Sequence, residues 1–259
     1  VTRVTEHLRL ARAGAVATLT IDRPAKRNAM SLAMWSALPE LMAEVDADET
    51  IRVLVITGGE HFSAGADIGE FAALRTEPAD AERYGLAVHD GARAIATLRK
   101  PTIAAITGWC IGGGCEIALA CDVRMAADDA SFGITPAKLG IVYAFASTKQ
   151  LVDVVGPAWA KQILYTGDIF DAATALRIGL VNELHPGAAA VRKRALGAAE
   201  LIASRAQVSV RGAKTIVNRI TGGQLTEDDA VRELYQESVT SADYAEGVRA
   251  FLDKRKPNF

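Results

Sequence analysis

The sequence predicts an α/β fold built from repeated ββα units, followed by a helical C-terminal part. Three observations predict it. Short β-rich runs alternate with amphipathic stretches up to about residue 127. Glycine or proline punctuates those runs, at Arg23-Pro24, Gly58-Gly59, Pro101 and Gly112-Gly113-Gly114. From about residue 157 helical spacing dominates, which separates the chain into a mixed part and a helical part.

Residues 8–10 and 15–21 read as strands, the second stopped by Arg23-Pro24 because proline offers no N–H to a ladder. Ser31 is placed to cap a helix whose apolar positions Leu32, Trp35, Leu38, Met42 and Val45 follow helical spacing. Residues 52–57 form the next strand, closed by Gly58-Gly59. A helical stretch over residues 81–98 leads to Pro101 and a strand over residues 102–107. The triple glycine then opens a helix over residues 115–120, and residues 122–127 are strand-like. Helices are predicted over residues 158–165, 172–177, 188–204, 207–220, 226–238 and 241–253, with one extended run at 180–184. There is no low-complexity linker and no repeat of fixed period, so the C-terminal helices are expected to pack on the first part or on a partner.

Half of the 259 residues are apolar, enough for a substantial buried core. The 31 acids and 29 bases nearly cancel and are interleaved, leaving no basic field of the kind nucleic-acid binding needs. The one basic cluster, Lys254-Arg255-Lys256, is a short tail. Cys110, Cys115 and Cys121 do not match paired C-x-x-C zinc spacing and read as small buried hydrophobes. No apolar run reaches the roughly 18–20 residues of a membrane span, and Arg3, Glu6, Arg9 and Arg12 break up any signal-peptide pattern. The expectation is a soluble cytoplasmic protein with neither a membrane nor a nucleic-acid partner.

Two glycine-centred turns invite a chemical reading: Phe62-Ser63-Ala64-Gly65-Ala66-Asp67, after a strand, and Ile111-Gly112-Gly113-Gly114-Cys115-Glu116, between a strand and a helix. Glycines at such a junction let the backbone approach a ligand and leave the first helix N–H groups unpaired, which attracts negative charge. A Walker pattern is ruled out because no Lys-Ser or Lys-Thr follows, so a developing oxyanion fits better than a phosphate, given a second donor from another loop. The same glycines would also serve close helix–sheet packing. Glu116 lies three residues after Gly113, on the same helix face and among apolar neighbours that would raise its pKa. Beside an oxyanion site it could transfer protons next to a carbonyl; otherwise it is an exposed helix glutamate. A G-x-S-x-G elbow is absent, and His7, His61, His89 and His185 have no metal spacing. His61 reads as a surface-loop residue.

Taken in order, these segments resemble the crotonase (enoyl-CoA hydratase/isomerase) superfamily over essentially the whole chain. The resemblance is carried by Ile21-Asp22-Arg23-Pro24 with Asn28-Ala29-Met30, by residues 62–68 (FSAGADI), 112–122 (GGGCEIALACD) and 172–181 (AATALRIGLV), and by residues 246–259. It implies a crotonase-like ββα spiral core with the acyl-CoA site over residues 1–200. A helical C-terminal trimerisation region would follow over residues 201–259, in a homotrimer or homohexamer. It implies that the N–H groups of Ala66 and Gly113 polarise the thioester carbonyl, with Glu116 as acid/base. Ala64, Gly65, Asp67, Ile68 and Gly112 would contact the CoA thioester, with Lys26 and Lys254 available to its phosphates. An N-cap is the structural alternative for Asp67. No cofactor beyond the coenzyme A of the substrate is implied.

In one respect the chain departs from the family's hydratases, which use a second glutamate about twenty residues after the first. Its place is taken here by Pro136, which can neither activate water nor deliver a proton; Thr135 and Pro136 suit the N-cap and first position of a short helix. The pattern from Thr135 to Tyr143, T-P-x-x-L-G-x-x-Y, is similar to that of methylmalonyl-CoA decarboxylases of the same superfamily. Those can carry a histidine where this chain has Ala66. Tyr143 is thus either a second polar group of the site or a packed aromatic. The implied activity is that of a lyase or isomerase working through a thioester enolate. An acyl-CoA decarboxylase and a non-catalytic acyl-CoA-binding protein are the alternatives.

Overall fold

The structure, a computed structural model, describes residues 2–3, 6–74 and 76–259. It opens with strands β1 (Thr2–Arg3), β2 (Leu8–Ala13) and β3 (Val16–Ile21), then helix α1 (Leu32–Ala47) and strand β4 (Val53–Thr57). The short helix α2 (Phe71–Leu74) and the long α3 (Pro78–Ala96) precede β5 (Thr102–Ile106), β6 (Trp109–Ile111) and α4 (Gly113–Ala120). Next come β7 (Val123–Ala127), β8 (Ser131–Gly133), α5 (Phe145–Thr166), β9 (Phe170–Asp171), α6 (Ala172–Arg177) and β10 (Glu183–His185). Helices α7 (Gly187–Ala203), α8 (Gln207–Thr221), α9 (Asp229–Thr240) and α10 (Ala242–Leu252) complete the chain.

Seven strands form one sheet in the order β1-β2-β3-β4-β5-β7-β10. The first three are antiparallel and the rest parallel, as the intervening helices require. The central strands are buried on both faces, and side-chain alternation divides them between two cores. Leu54, Ile56, Ala104 and Ile106 face a core shared with α1, α3 and α4. Val53, Val55, Ile103 and Ala105 face the alanine-rich side of α7. Helix α3 comes close to α1 because residue 91 lacks a side chain: a Cβ on Gly91 would lie 3.0 Å from the Trp35 carbonyl oxygen.

Ser31 caps α1 as predicted, its hydroxyl accepting from the Met34 N–H at 3.2 Å. The other end of that helix is closed from a distance. Lys100 is fully buried, and its ammonium donates to the carbonyls of Val45 and, at 2.6 Å, Asp48. Lys100→Met would remove the side-chain donor from the Val45 carbonyl and leave the Asp48 carbonyl with the Ile51 N–H alone. It is expected to lower unfolding stability by about 2–3 kcal/mol, as read by urea denaturation.

Besides the short β1 and α2, two features near the cavity were not expected from the sequence. Strands β6, β8 and β9 form a second, three-stranded sheet whose members are only two or three residues long, too short for periodicity to mark. Helix α5 starts at Phe145, well before the predicted 158; Gly156, at φ 76°, followed by Pro157 breaks its regular pattern in the middle.

Candidate functional site

The small sheet brings the two glycine turns together. Ser63 donates its N–H to the Trp109 carbonyl at 2.9 Å, and Ile111 donates back to the Ser63 carbonyl at 3.0 Å. Gly112 N–H is taken by the Gly133 carbonyl at 2.7 Å. On the other side, Met30 donates to the Gly65 carbonyl at 2.7 Å and Asp67 to the Met30 carbonyl at 2.9 Å. The Ser63 hydroxyl donates to the Asn28 carbonyl at 2.8 Å and accepts from Gly65 N–H at 3.1 Å.

This bracing leaves two amides over. Neither Ala66 N–H nor Gly113 N–H donates to an acceptor among the described residues. They converge: a Cβ built on Gly113 would lie 3.5 Å from the Ala66 nitrogen, and one on Gly65 would lie 3.2 Å from the Gly113 nitrogen. Gly65 (φ 97°) and Gly112 (φ 52°, ψ −113°) hold conformations that side chains disfavour. The Gly113 amide also opens α4, where the helix leaves its first donors free. Two unclaimed donors facing one space form an oxyanion-binding geometry.

That space is a cavity of about 390 Å³ lined by both glycine turns, by Trp35 of α1, by Tyr84, Val88 and His89 of α3, and by the segment from Thr135 to Ala144. Glu116 lines it as well and is only 5% exposed, which rules out the exposed helix glutamate. Burial pushes its carboxyl up to about 7, against the opposing effect of a hydrogen bond from Ser147. The Tyr143 hydroxyl is buried near this pair without a well-formed hydrogen bond of its own. Burial first, and then the Glu116 charge, hold its pKa above the usual phenol value. The Trp35 indole N–H is likewise buried and unpaired among the described residues.

Of the residues singled out in the sequence, Ala64, Gly65, Ala66, Ile68, Gly112, Gly113, Glu116 and Tyr143 line this one cavity. Asp67 is placed otherwise. Its carboxylate caps the turn over Ile68–Glu70, accepting from Gly69 N–H at 3.0 Å, and pairs with Arg23 at 2.8 Å. Burial pushes that carboxyl up, but these partners outweigh burial and hold it below its ordinary value. Lys26, with its ammonium 3.9 Å from Asp67, and Lys254, beyond α10, are exposed and lie outside the cavity lining. Pro136 opens a 3-10 turn (Pro136–Leu139) and lines the cavity; Thr135 precedes it without a side-chain cap bond. His61 packs on Trp109, whose N–H it accepts at Nδ1, and stays outside the cavity. The three cysteines are free and buried. Ser147 went unread, because nothing in the sequence marks a lone serine in a helix as the partner of a glutamate 31 positions earlier.

Among the described residues no helix is long and apolar enough to cross a membrane, and no cluster of His, Cys, Asp or Glu could hold a metal ion. Two free amides and a buried carboxyl around one cavity can hold an oxyanion and exchange a proton beside it. The enoyl-CoA hydratase/isomerase family model matches residues 11–259, and the chain belongs to that family. It is similar to the crotonyl-CoA hydratase of Syntrophomonas wolfei, 36% identical over 98% of each chain. It is also similar to the short-chain-enoyl-CoA hydratase of Clostridium acetobutylicum, 35% identical over 95% of each. An enoyl-CoA hydratase/isomerase family protein from Hyphomonas neptunium superposes with a TM-score of 0.95 at 38% identity, covering 100% of this chain and 99% of that one. The chain is thus an acyl-CoA-processing enzyme of the hydratase/isomerase type.

Proposed function

We propose that this enzyme moves protons next to the carbonyl of a CoA thioester, shifting a double bond through an enolate, with Glu116 as its acid/base. The observation that carries the reading is the inventory of the cavity: two unclaimed amides, Ala66 and Gly113, and one carboxyl, Glu116, among its lining residues. Glu116 takes a proton from the carbon next to the thioester, and the negative charge moves onto the thioester oxygen held by the two amides. The same carboxyl then returns its proton two carbons further along, so the double bond moves and no water is consumed. A carboxyl poised at about 7 serves both halves of that cycle near neutrality. Hydration asks for a second acid/base where this chain has Pro136.

Decarboxylation is a second reading. It needs the same enolate site and no strong base, and Tyr143 of the T-P-x-x-L-G-x-x-Y pattern is among the residues that line the cavity with Glu116. Crotonyl-CoA, a 3-enoyl-CoA and methylmalonyl-CoA, compared by mass spectrometry, separate the outcomes. The expected result is conversion of the 3-enoyl thioester, with hydration of crotonyl-CoA at least about a hundredfold slower. Rapid hydration that survives Tyr143→Phe would contradict the reading of Pro136, and carbon dioxide release from methylmalonyl-CoA alone would establish the second reading.

The reading extends to residues the cavity does not include. Lys26 and Lys254 are assigned to the phosphates of coenzyme A, and Asp67 to keeping the loop of residues 64–68 in shape against the CoA thioester; no cofactor beyond that coenzyme A is assigned. Helices α8 to α10 present Val217, Ile220, Val239, Phe251 and Leu252 to solvent, which supports assigning residues 201–259 to oligomerisation, as a homotrimer or homohexamer. A cytoplasmic setting accords with the three free cysteines.

A further inference from the structure

We infer that Ser147 is a positioning residue for proton transfer: its hydroxyl holds Oε1 of Glu116 and leaves Oε2 as the oxygen that exchanges a proton with the substrate. The inference rests on the role proposed for Glu116 and adds to it the residue that aims the carboxyl.

Ser147 is buried on α5, which packs against α4, and its hydroxyl donates to Glu116 Oε1. Oε2 accepts no hydrogen bond from the described residues, yet it is not sealed off as the Tyr143 hydroxyl oxygen is, so it is reached from the cavity that Glu116 lines. The choice of serine has no packing explanation, since an alanine would fill most of the same volume and bring no buried hydroxyl that needs a partner. Capping does not explain it either. Ser147 is the third residue of α5, where serines commonly turn back to the backbone, but its hydroxyl reaches across to the other helix instead.

The remaining titratable groups facing Glu116 leave this bond unrivalled. Tyr143, from the segment before α5, is held neutral by burial. Cys115 on α4 and Cys110 on β6 are buried thiols. His89 of α3 and Lys138 of the Pro136–Leu139 turn line the cavity, but neither forms an ion pair with Glu116. The Ser147 hydrogen bond is thus what favours the ionised carboxyl against burial.

The test compares Ser147→Ala with Ser147→Thr, which keeps the hydroxyl. It uses two readouts: the Glu116 carboxyl band followed against pH by difference infrared spectroscopy, assigned with Glu116→Gln, and steady-state turnover of the thioester on which the wild type is active. Ser147→Ala is expected to move the carboxyl midpoint upward by about one pH unit and to lower kcat about tenfold with KM within about twofold. Ser147→Thr should restore most of both. If alanine prevents folding, Ser147→Cys, with a weaker donor of similar size, should give a smaller shift in the same direction. An unmoved midpoint in a folded Ser147→Ala or Ser147→Cys protein overturns the inference. Failure of the underlying role looks different: Glu116→Gln would then keep its turnover, whatever Ser147 does.

Discussion

Glu116→Gln is expected to lower turnover about a thousandfold while making the folded protein more stable above pH 7. The first effect follows from the inventory of the cavity. With one carboxyl among its lining residues, loss of that carboxyl leaves no carboxylate beside the two amides to take the proton, and acid/base catalysis of this kind contributes roughly a hundred- to ten-thousandfold. The second effect follows from burial. In the unfolded chain a glutamate titrates near its ordinary 4.5, whereas Glu116 in the fold titrates at about 7. Between those values the folded state holds the proton that the unfolded state has released, so stability falls as pH rises from 4.5 to about 7 and is level beyond it. A glutamine keeps an oxygen for Ser147 and has no charge to desolvate. The variant should therefore match the wild type near pH 4.5 and exceed it by about 3 kcal/mol at pH 8. Urea unfolding at both pH values measures this, and equal stability differences at the two would contradict a buried, proton-holding Glu116. The kcat/KM of the wild type should rise through pH 7, as the base form fills.

Gly65→Ala is expected to lower kcat by roughly a hundred- to a thousandfold without removing any chemical group from the site. At φ 97° an alanine is strained, and its Cβ would fall 2.7 Å from the Ile111 carbonyl oxygen and 3.2 Å from the Gly113 nitrogen. Both neighbours are backbone, and Ile111 is tied to Ser63, so no flexible side chain yields. The two turns must part, and the Ala66 and Gly113 amides lose their common focus. Gly59→Ala is the comparison, because nothing lies within 4 Å of a Cβ there. It should change turnover by less than about twofold. Near-UV circular dichroism checks that both variants fold, and a folded Gly65→Ala enzyme of normal kcat would show that the amides do not hold the transition state.

Legibility in the sequence followed the range of the interactions. Helix α1 was readable because Ser31 and five apolar positions repeat a local period, and α6 because helical spacing marks residues 172–177. Strands β6, β8 and β9 carry no such signal, yet their backbone bonds dock one glycine turn on the other. The glycine turns themselves were legible as motifs. That the amides of residues 66 and 113 face the same space is a tertiary fact, decided by the Ser63–Trp109 and Met30–Gly65 pairings. Nothing in the sequence sets Lys100 apart, and in the fold it is the buried cap of α1. Ser147 was hidden for two reasons: Gly156-Pro157 obscured the helix that carries it, and its partner lies on another element.

Deuterium exchange reads out whether Glu116 moves a proton on and off the carbon next to a thioester whose oxygen rests on the Ala66 and Gly113 amides. A saturated short-chain acyl-CoA is incubated with the enzyme in heavy water, and uptake at that carbon is followed by mass spectrometry in the wild type and in Glu116→Gln. Exchange in the wild type that falls about a thousandfold in the variant is the predicted result; wild-type exchange no faster than without enzyme, or exchange that persists in Glu116→Gln, would contradict the account.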